Sequence, residues 1–404
     1  MPSIKKIVKN IIIVIIFPII LIIYILRPIM IIRFGIVQSS RIGALSIQVE
    51  HYLKEMKIKK NKFVLDIISY EKQICNKKLA LLVSRLPVKI INFPKKIQIF
   101  FDGLNLLSPN NFHRINFVAH PKDFFINEDI TQLKFSSNEV DKARELLANI
   151  GIHKKNMWVC IHNRDSAYLN SISKNNWNHN NYSGSNWSYH NYRDFNISSM
   201  VSTCNYFLSK GYHVIRVGQK ANEAINLKHP KLIDYPFINK KDELLELYLL
   251  ANCSFFIGCN AGIYTIPYIF KRPLLITNYT SVGLLNQMKH NKWMTILKLF
   301  TDKNTGKILS LDEIFTRNLD NMGIINEFND NNIKLIDNTP DEILNASIEL
   351  EQRENAIWNN TEKSFGLQKK FWNKVNQYKK INKFNKNNLY ISSYFLEKHQ
   401  NVLF

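Results

Sequence analysis

Three short stretches of this 404-residue chain carry groups suited to holding a phosphate. The first is His162-Asn163-Arg164-Asp165, directly after the apolar run Trp158 to Ile161. A guanidinium at the carboxyl end of a strand can clamp a diphosphate through two parallel, charge-assisted hydrogen bonds. His162 can donate to a phosphate or contact a base. Asp165 can take the proton of an acceptor hydroxyl, which makes it and Arg164 the candidate catalytic pair. The competing reading is a structural ion pair of Arg164 with Asp165 at a turn. The second stretch is Val214 to Gln219. There Arg216 offers a second phosphate partner, and Gly218 lets a ligand approach the backbone. A plain strand end with an exposed arginine is the alternative. The third, Phe255 to Ile263 (FFIGCNAGI), reads as strand, small-residue turn and helix. Amides of Asn260, Ala261 and Gly262 at a helix start make an anion site without any charged side chain, with Gly258 and Gly262 keeping the approach open. A tight turn with no ligand is the alternative.

The chain has no Walker A lysine motif, no GxGxxG, no D-x-D and no His/Asp/Glu set at metal-ligand spacing. A transferase built on these stretches is therefore expected to work without a metal and without a cofactor. Fixed cations and helix amides would stabilise a leaving diphosphate. The loop Asn170 to Asn191 adds Trp177, Tyr182, Trp187, Tyr189 and His190 among Asn and Ser. Such a loop suits sugar stacking as a lid, and equally suits an Asn-rich disordered insertion.

The elements that must position these residues alternate. Strands are expected at 34–39, 63–68 and 88–92, and helices at 41–57, 71–86 and 95–107. A helix at 138–150 ends at Gly151 and marks the domain boundary. The second half repeats the pattern, with strands at 158–161, 212–217, 254–258 and 274–277 and helices at 197–210, 242–252 and 262–270. Alternation of this kind implies parallel sheets covered on both faces, with ligands beyond the carboxyl ends of the strands. From Thr339, a good N-cap followed by Pro340, the chain turns helical. Its lysine-rich stretch 362–388 has an apolar stripe of Phe371, Trp372, Val375 and Tyr378. That helix is expected to pack on the N-terminal half. An anionic membrane surface is the alternative.

The ordered series resembles a family of bacterial surface-polysaccharide glycosyltransferases. The marks are Arg41-Ile42-Gly43, His162 to Tyr168 (HNRDSAY), Tyr192-Arg193-Asp194, Val214 to Gly218 (VIRVG), Ile233-Asp234-Tyr235, Phe255 to Gly262 (FFIGCNAG), Pro273 with Asn278, and Ile391 to Leu396 (ISSYFL). The H-x-R stretch and the later strand-turn-helix also look like the donor site of fucosyltransferases with a GT-B fold. That resemblance implies His162 and Asp234 at the base and Arg164 at the diphosphate. Two departures stand out: Ala44 where the family tends to have His, and Ala261 where it tends to have Ser.

Composition bounds the rest. Lys and Arg number 54 against 32 Asp and Glu, a formal charge of +22, and 46% of residues are hydrophobic. That excludes a wholly disordered chain. A nucleic-acid binder has only the charge in its favour, and nucleic acid is not expected as a partner. The five cysteines form no CxxC and fit a reducing compartment. Lys5, Lys6 and Lys9 precede the apolar run Ile11 to Leu26, which reads as an uncleaved membrane anchor when extended past Arg27 to Ile32.

The expectation is an α/β chain of two Rossmann-like domains facing across a cleft, GT-B-like, behind an N-terminal anchor helix. Its parts are the anchor (1–32), an acceptor domain (33–150), a nucleotide-sugar domain (151–338) and C-terminal helices (339–404). The expected activity moves a sugar from a nucleotide diphosphate sugar to a glycan or lipid-linked acceptor, at the cytoplasmic face of a membrane. The alternatives are a non-catalytic glycan-binding or scaffold relative, and a nucleotide-sugar epimerase.

Overall fold

Short runs rich in Ile, Val, Leu and Phe become interior strands because both faces of a parallel sheet are buried. The computed structural model describes residues 17–19, 21–58, 63–71, 73–86, 89–90, 113, 115, 117, 133–171, 187–287, 292–379 and 389–404. The chain divides into two units, one of residues 1–121 with 130–135 and one of 122–129 with 136–404.

The first unit holds a parallel sheet of β1 (Ile31–Val37), β2 (Val64–Tyr70) and β3 (Lys89–Ile90), in that spatial order. β1 and β2 pair in register from Ile31 with Val64 to Val37 with Tyr70. That register sets Arg33 opposite Asp66, and the guanidinium bonds both carboxylate oxygens at 2.7 and 2.8 Å. Helices Ile42–Ile58 and Lys77–Ser84 accompany the sheet. The second is shorter than expected because Asn76, whose side chain accepts from the Leu79 amide, starts it late. The helix expected at 95–107 lies outside the described residues.

Most of the expected anchor also lies outside them. Its proposed end needs correcting, because Ile31 and Ile32 are the first residues of β1 and pair with Val64 and Leu65. Among the described residues no helix is long and apolar enough to cross a membrane.

The second unit is built on seven parallel strands: β4 (Trp158–His162), β5 (His213–Arg216), β6 (Leu232–Asp234), β7 (Phe255–Cys259), β8 (Leu274–Tyr279), β9 (Trp293–Leu297) and β12 (Tyr390–Ile391). A separate antiparallel pair, β10 (Leu299–Asp302) with β11 (Ile333–Ile336), packs Phe300 and Ile333 against Leu309, Ile314 and Phe328. The large sheet runs β12-β9-β8-β7-β4-β5-β6, parallel at every pairing. Counted within the sheet this is the doubly wound order 3-2-1-4-5-6 with one strand added. Its direction reverses between β4 and β7, where such sheets open a crevice at their carboxyl ends.

Four of the seven strands were legible as apolar runs; β6, β9 and β12 were not assigned. β12 comes from the C-terminal segment, so helices Pro340–Glu354, Glu362–Lys379 and Ser393–Leu403 belong to the second unit. Glu349 fastens the first to the third, accepting from the Ser392 and Ser393 hydroxyls and the Ser393 amide. The apolar stripe of Glu362–Lys379 is taken up within this unit. Phe371, Trp372 and Val375 are buried, and Tyr378 stacks on Phe315 at 4.8 Å. Each buried ring contributes on the order of 1.5–3 kcal/mol that a membrane surface would have to replace.

Candidate functional site

β4 and β7 deliver the first and third stretches to the same edge. Their register pairs His162 with Gly258. A Cβ on Gly258 would lie 2.9 Å from the His162 carbonyl oxygen, so this glycine serves strand packing. That differs from the expected opening for a ligand. Beyond β4, the polypeptide is tied down one side chain at a time. His162 Nδ1 meets the Val217 carbonyl at 3.0 Å. Asn163 donates to the Phe195 carbonyl at 3.1 Å and accepts from Arg216 Nε at 3.0 Å. Arg164 Nη1 bonds Asp194 Oδ1 and the His190 carbonyl.

Several expected ligand groups are instead framework. Arg216 is only 1% exposed. It donates to Asn163 and to the Glu223 carbonyl at 2.6 Å, and pairs with Asp234 at 3.5 Å and Asp165 at 3.8 Å. Burial lowers its pKa and the two carboxylates oppose that, so it remains a cation. Its N–H groups are committed to these protein acceptors, so Arg216 serves the framework. Asp234 accepts from the Ile225 amide at 2.8 Å as well as from Arg216, which makes it a structural partner of the arginine. Asp165 is engaged at both oxygens, by the amides of Ala167 and Asn222, each at 2.9 Å. These bonds fix the orientation of the Asp165 carboxylate. Gly218 has φ +130°, a conformation that favours glycine, and its amide donates to Glu246 Oε1 at 3.1 Å. Its freedom sets a turn beside the His162 ring.

The third stretch also differs from expectation. A 3-10 turn, Gly262–Tyr264, precedes a helix of five residues, Thr265–Ile269. So short a helix sums little dipole. The Ala261 amide is taken by the Cys259 carbonyl at 2.7 Å, and the Asn260 carbonyl accepts from Arg193 Nη1 at 3.0 Å. Asn260, Ala261 and Gly262 thus line the edge, with the Ala261 amide already bonded within the turn.

What gathers there is positive charge. Arg164 is 7% exposed, and burial followed by repulsion from Arg193 brings its pKa down to about 10. Lys298, also buried, donates to the Asp194 carbonyl at 3.0 Å and pairs with Asp337 at 2.7 Å. Cys259, buried, lies near all three cations; burial keeps its thiol protonated. Asp194 and Asp337 answer Arg164 and Lys298. Among the described residues Arg193 has no carboxylate partner. Among the described residues two guanidinium nitrogens here are buried and have no acceptor, Arg164 Nη2 and Arg193 Nε. An unmet buried donor costs about 1–3 kcal/mol, more when charged.

The structure therefore brings His162, Arg164 and the Asn260–Gly262 turn to one edge, with Arg216, Asp165 and Asp234 bonded to one another beside them. Sequence reasoning gave no role to Arg193, Lys298 or Glu246. Arg193 sat in a recognised motif, Tyr192-Arg193-Asp194. Nothing in the spacing shows that it reaches a turn 67 residues away. Of the aromatic loop, Trp187–Arg193 is a 3-10 helix, with His190 stacked on Trp187 and near Tyr189, while Trp177 and Tyr182 lie outside the described residues.

The sequence matches no protein-family model and no curated protein. Among solved structures it is similar to the ADP-heptose LPS heptosyltransferase II of E. coli, at 10% identity over 66% of this chain and 91% of that one, TM-score 0.42. A glycosyl transferase family 9 protein of Veillonella parvula matches at 8% identity over 61% and 80%, TM-score 0.37. The iron-containing dodecameric glycosyltransferase TibC of enterotoxigenic E. coli matches at 14% over 63% and 61%, TM-score 0.31. At these values the functional assignment rests on the chain's own residues.

Proposed function

We propose that the second unit binds a nucleotide diphosphate sugar in the crevice between β4 and β7. There it acts as a metal-independent glycosyltransferase of the GT-B arrangement, adding the sugar to a bacterial surface-glycan precursor. The observation that carries this is the pair of buried guanidinium nitrogens, Arg164 Nη2 and Arg193 Nε, that find no acceptor among the described residues, at the point where strand order reverses. Diphosphate oxygens satisfy both. As the glycosidic bond breaks, negative charge grows on the departing diphosphate, and the excess cation of Arg193 stabilises it. His162, at the end of β4, faces the nucleoside. The lysine-flanked apolar run near the N-terminus would hold the protein at the cytoplasmic face of a membrane beside a lipid-linked acceptor.

A second reading has one specific observation behind it. Asp165 is held by the Ala167 and Asn222 amides and by Arg216, a setting that favours a structural part for it over that of base. A relative that binds nucleotide or glycan without turnover would keep the cations and lack the base.

Calorimetric titration with UDP, GDP and ADP tests the site. Arg193→Ala should weaken the preferred diphosphate about 10–100-fold, the equivalent of one lost charged hydrogen bond. Equal affinity in wild type and variant, or no saturable binding, overturns the assignment. Turnover of the matching nucleotide sugar then separates transferase from binder.

A further inference from the structure

Behind His162 lies a buried acid that the functional reading leaves without a role. Glu246, on the helix Glu243–Asn252, is 3% exposed. Burying a carboxyl costs several kcal/mol unless hydrogen bonds hold it. Two do: the Gly218 amide donates to Oε1 at 3.1 Å, and the Gln219 side-chain amide donates to Oε2. The peptide unit that Glu246 holds by its N–H is the same unit whose other end, the Val217 carbonyl, meets His162 Nδ1 at 3.0 Å. One planar group thus has a carboxyl oxygen at its N–H end and an imidazole at its C=O end.

Planarity makes the two contacts interdependent, because rotating the unit to suit one partner turns the other. The glycine makes the geometry attainable. Gly218 at φ +130° turns the chain, and an added Cβ would sit 3.6 Å from both Nδ1 and Cε1 of His162. A carbonyl oxygen only accepts, so the nitrogen facing it must carry the ring proton. The hydrogen bond at one ring nitrogen thereby decides the state of the other.

We infer that Glu246 is a positioning residue which, through the Val217–Gly218 peptide, holds His162 as the Nδ1–H tautomer. Its Nε2 lone pair is then presented to the crevice as an acceptor. Burial keeps the ring neutral at pH 7, its pKa drawn down to about 4. Among the described residues no group donates to Nε2. The site therefore asks the ligand for an N–H or O–H at this position. A phosphate oxygen there would meet another lone pair, which revises the expectation that His162 donates to phosphate. This consequence rests on the proposed ligand site; the tautomer itself does not.

The test is long-range 1H–15N correlation on the full chain labelled with 15N-histidine, at pH 7. His162 is assigned by its loss in His162→Gln. The expected wild-type pattern is protonated Nδ1 and bare Nε2. Glu246→Leu should shift the ring toward the Nε2–H form, and Glu246→Gln, which keeps an acceptor for the Gly218 amide, should restore Nδ1–H. The preferred diphosphate should bind Glu246→Leu about tenfold more weakly, the scale of one hydrogen bond. A wild-type ring with its proton on Nε2 overturns the inference whether or not any variant folds. So does a Glu246→Leu protein with native circular dichroism and an unchanged tautomer. The spectrum needs no nucleotide, so failure of nucleotide binding leaves this result separate.

Discussion

Replacing Arg216 by Met distinguishes framework from ligand contact at the residue where sequence and structure disagree most. The substitution keeps a comparable stem and removes a cation that is 1% exposed. It strands the Asp234 and Asp165 carboxylates, the Asn163 amide oxygen and the Glu223 carbonyl, all of which Arg216 now serves. Removing one partner of a buried charge pair costs about 3–5 kcal/mol. For a folding unit of this size each kcal/mol moves Tm by roughly 2–4 °C, so a fall of about 6–20 °C is expected. The measurement is thermal unfolding followed by circular dichroism, paired with diphosphate titration at a temperature where the variant is still folded. Arg216→Lys should recover only a minor part of the loss, because an ammonium cannot match the planar fork across several acceptors. A variant that melts within about 2 °C of wild type yet no longer binds diphosphate would refute the reasoning and return Arg216 to the ligand.

Gly218→Ala forces a side chain into φ +130° and should lower stability by about 1–3 kcal/mol, measured by urea unfolding. A neutral result would mean the turn relaxes. Burial, only partly opposed by Gln219 and the Gly218 amide, raises the Glu246 pKa from 4.5 to about 7. A raised carboxyl contributes stability fully present below pH 4.5 and lost as pH rises through 7. The wild-type protein should therefore lose about 3 kcal/mol relative to Glu246→Gln between those limits, and parallel stability curves for the two proteins would contradict this.

The sequence disclosed the strands whose apolar runs are unbroken, including β4, β5, β7 and β8, and it disclosed the order of the motifs. It could not disclose which motif residues face one another. His162, Asn163, Arg164 and Asp165 reach Val217, Phe195, Asp194 and Asn222, at separations of 30 to 57 residues. An arginine bonded to its own neighbours and an arginine awaiting a phosphate read alike in one dimension. β12 escaped notice because two residues carry no periodicity, and β6 because three scarcely do. Lys298 lies in a segment with no signal beyond its charge, and the motif that holds Arg193 does not show which residues it faces. The helix expected at 262–270 is a 3-10 turn followed by five helical residues, a split that the mostly apolar run Gly262 to Phe270 does not reveal.

The margins of the large sheet have a consequence for how the protein behaves in company. The strands at either border, β12 and β6, offer two and three residues, whereas the interior strands run four to six. A stray strand from a neighbouring molecule would find too few rungs to grip. So brief a border leaves a strongly apolar sheet interior with little edge for another chain to extend.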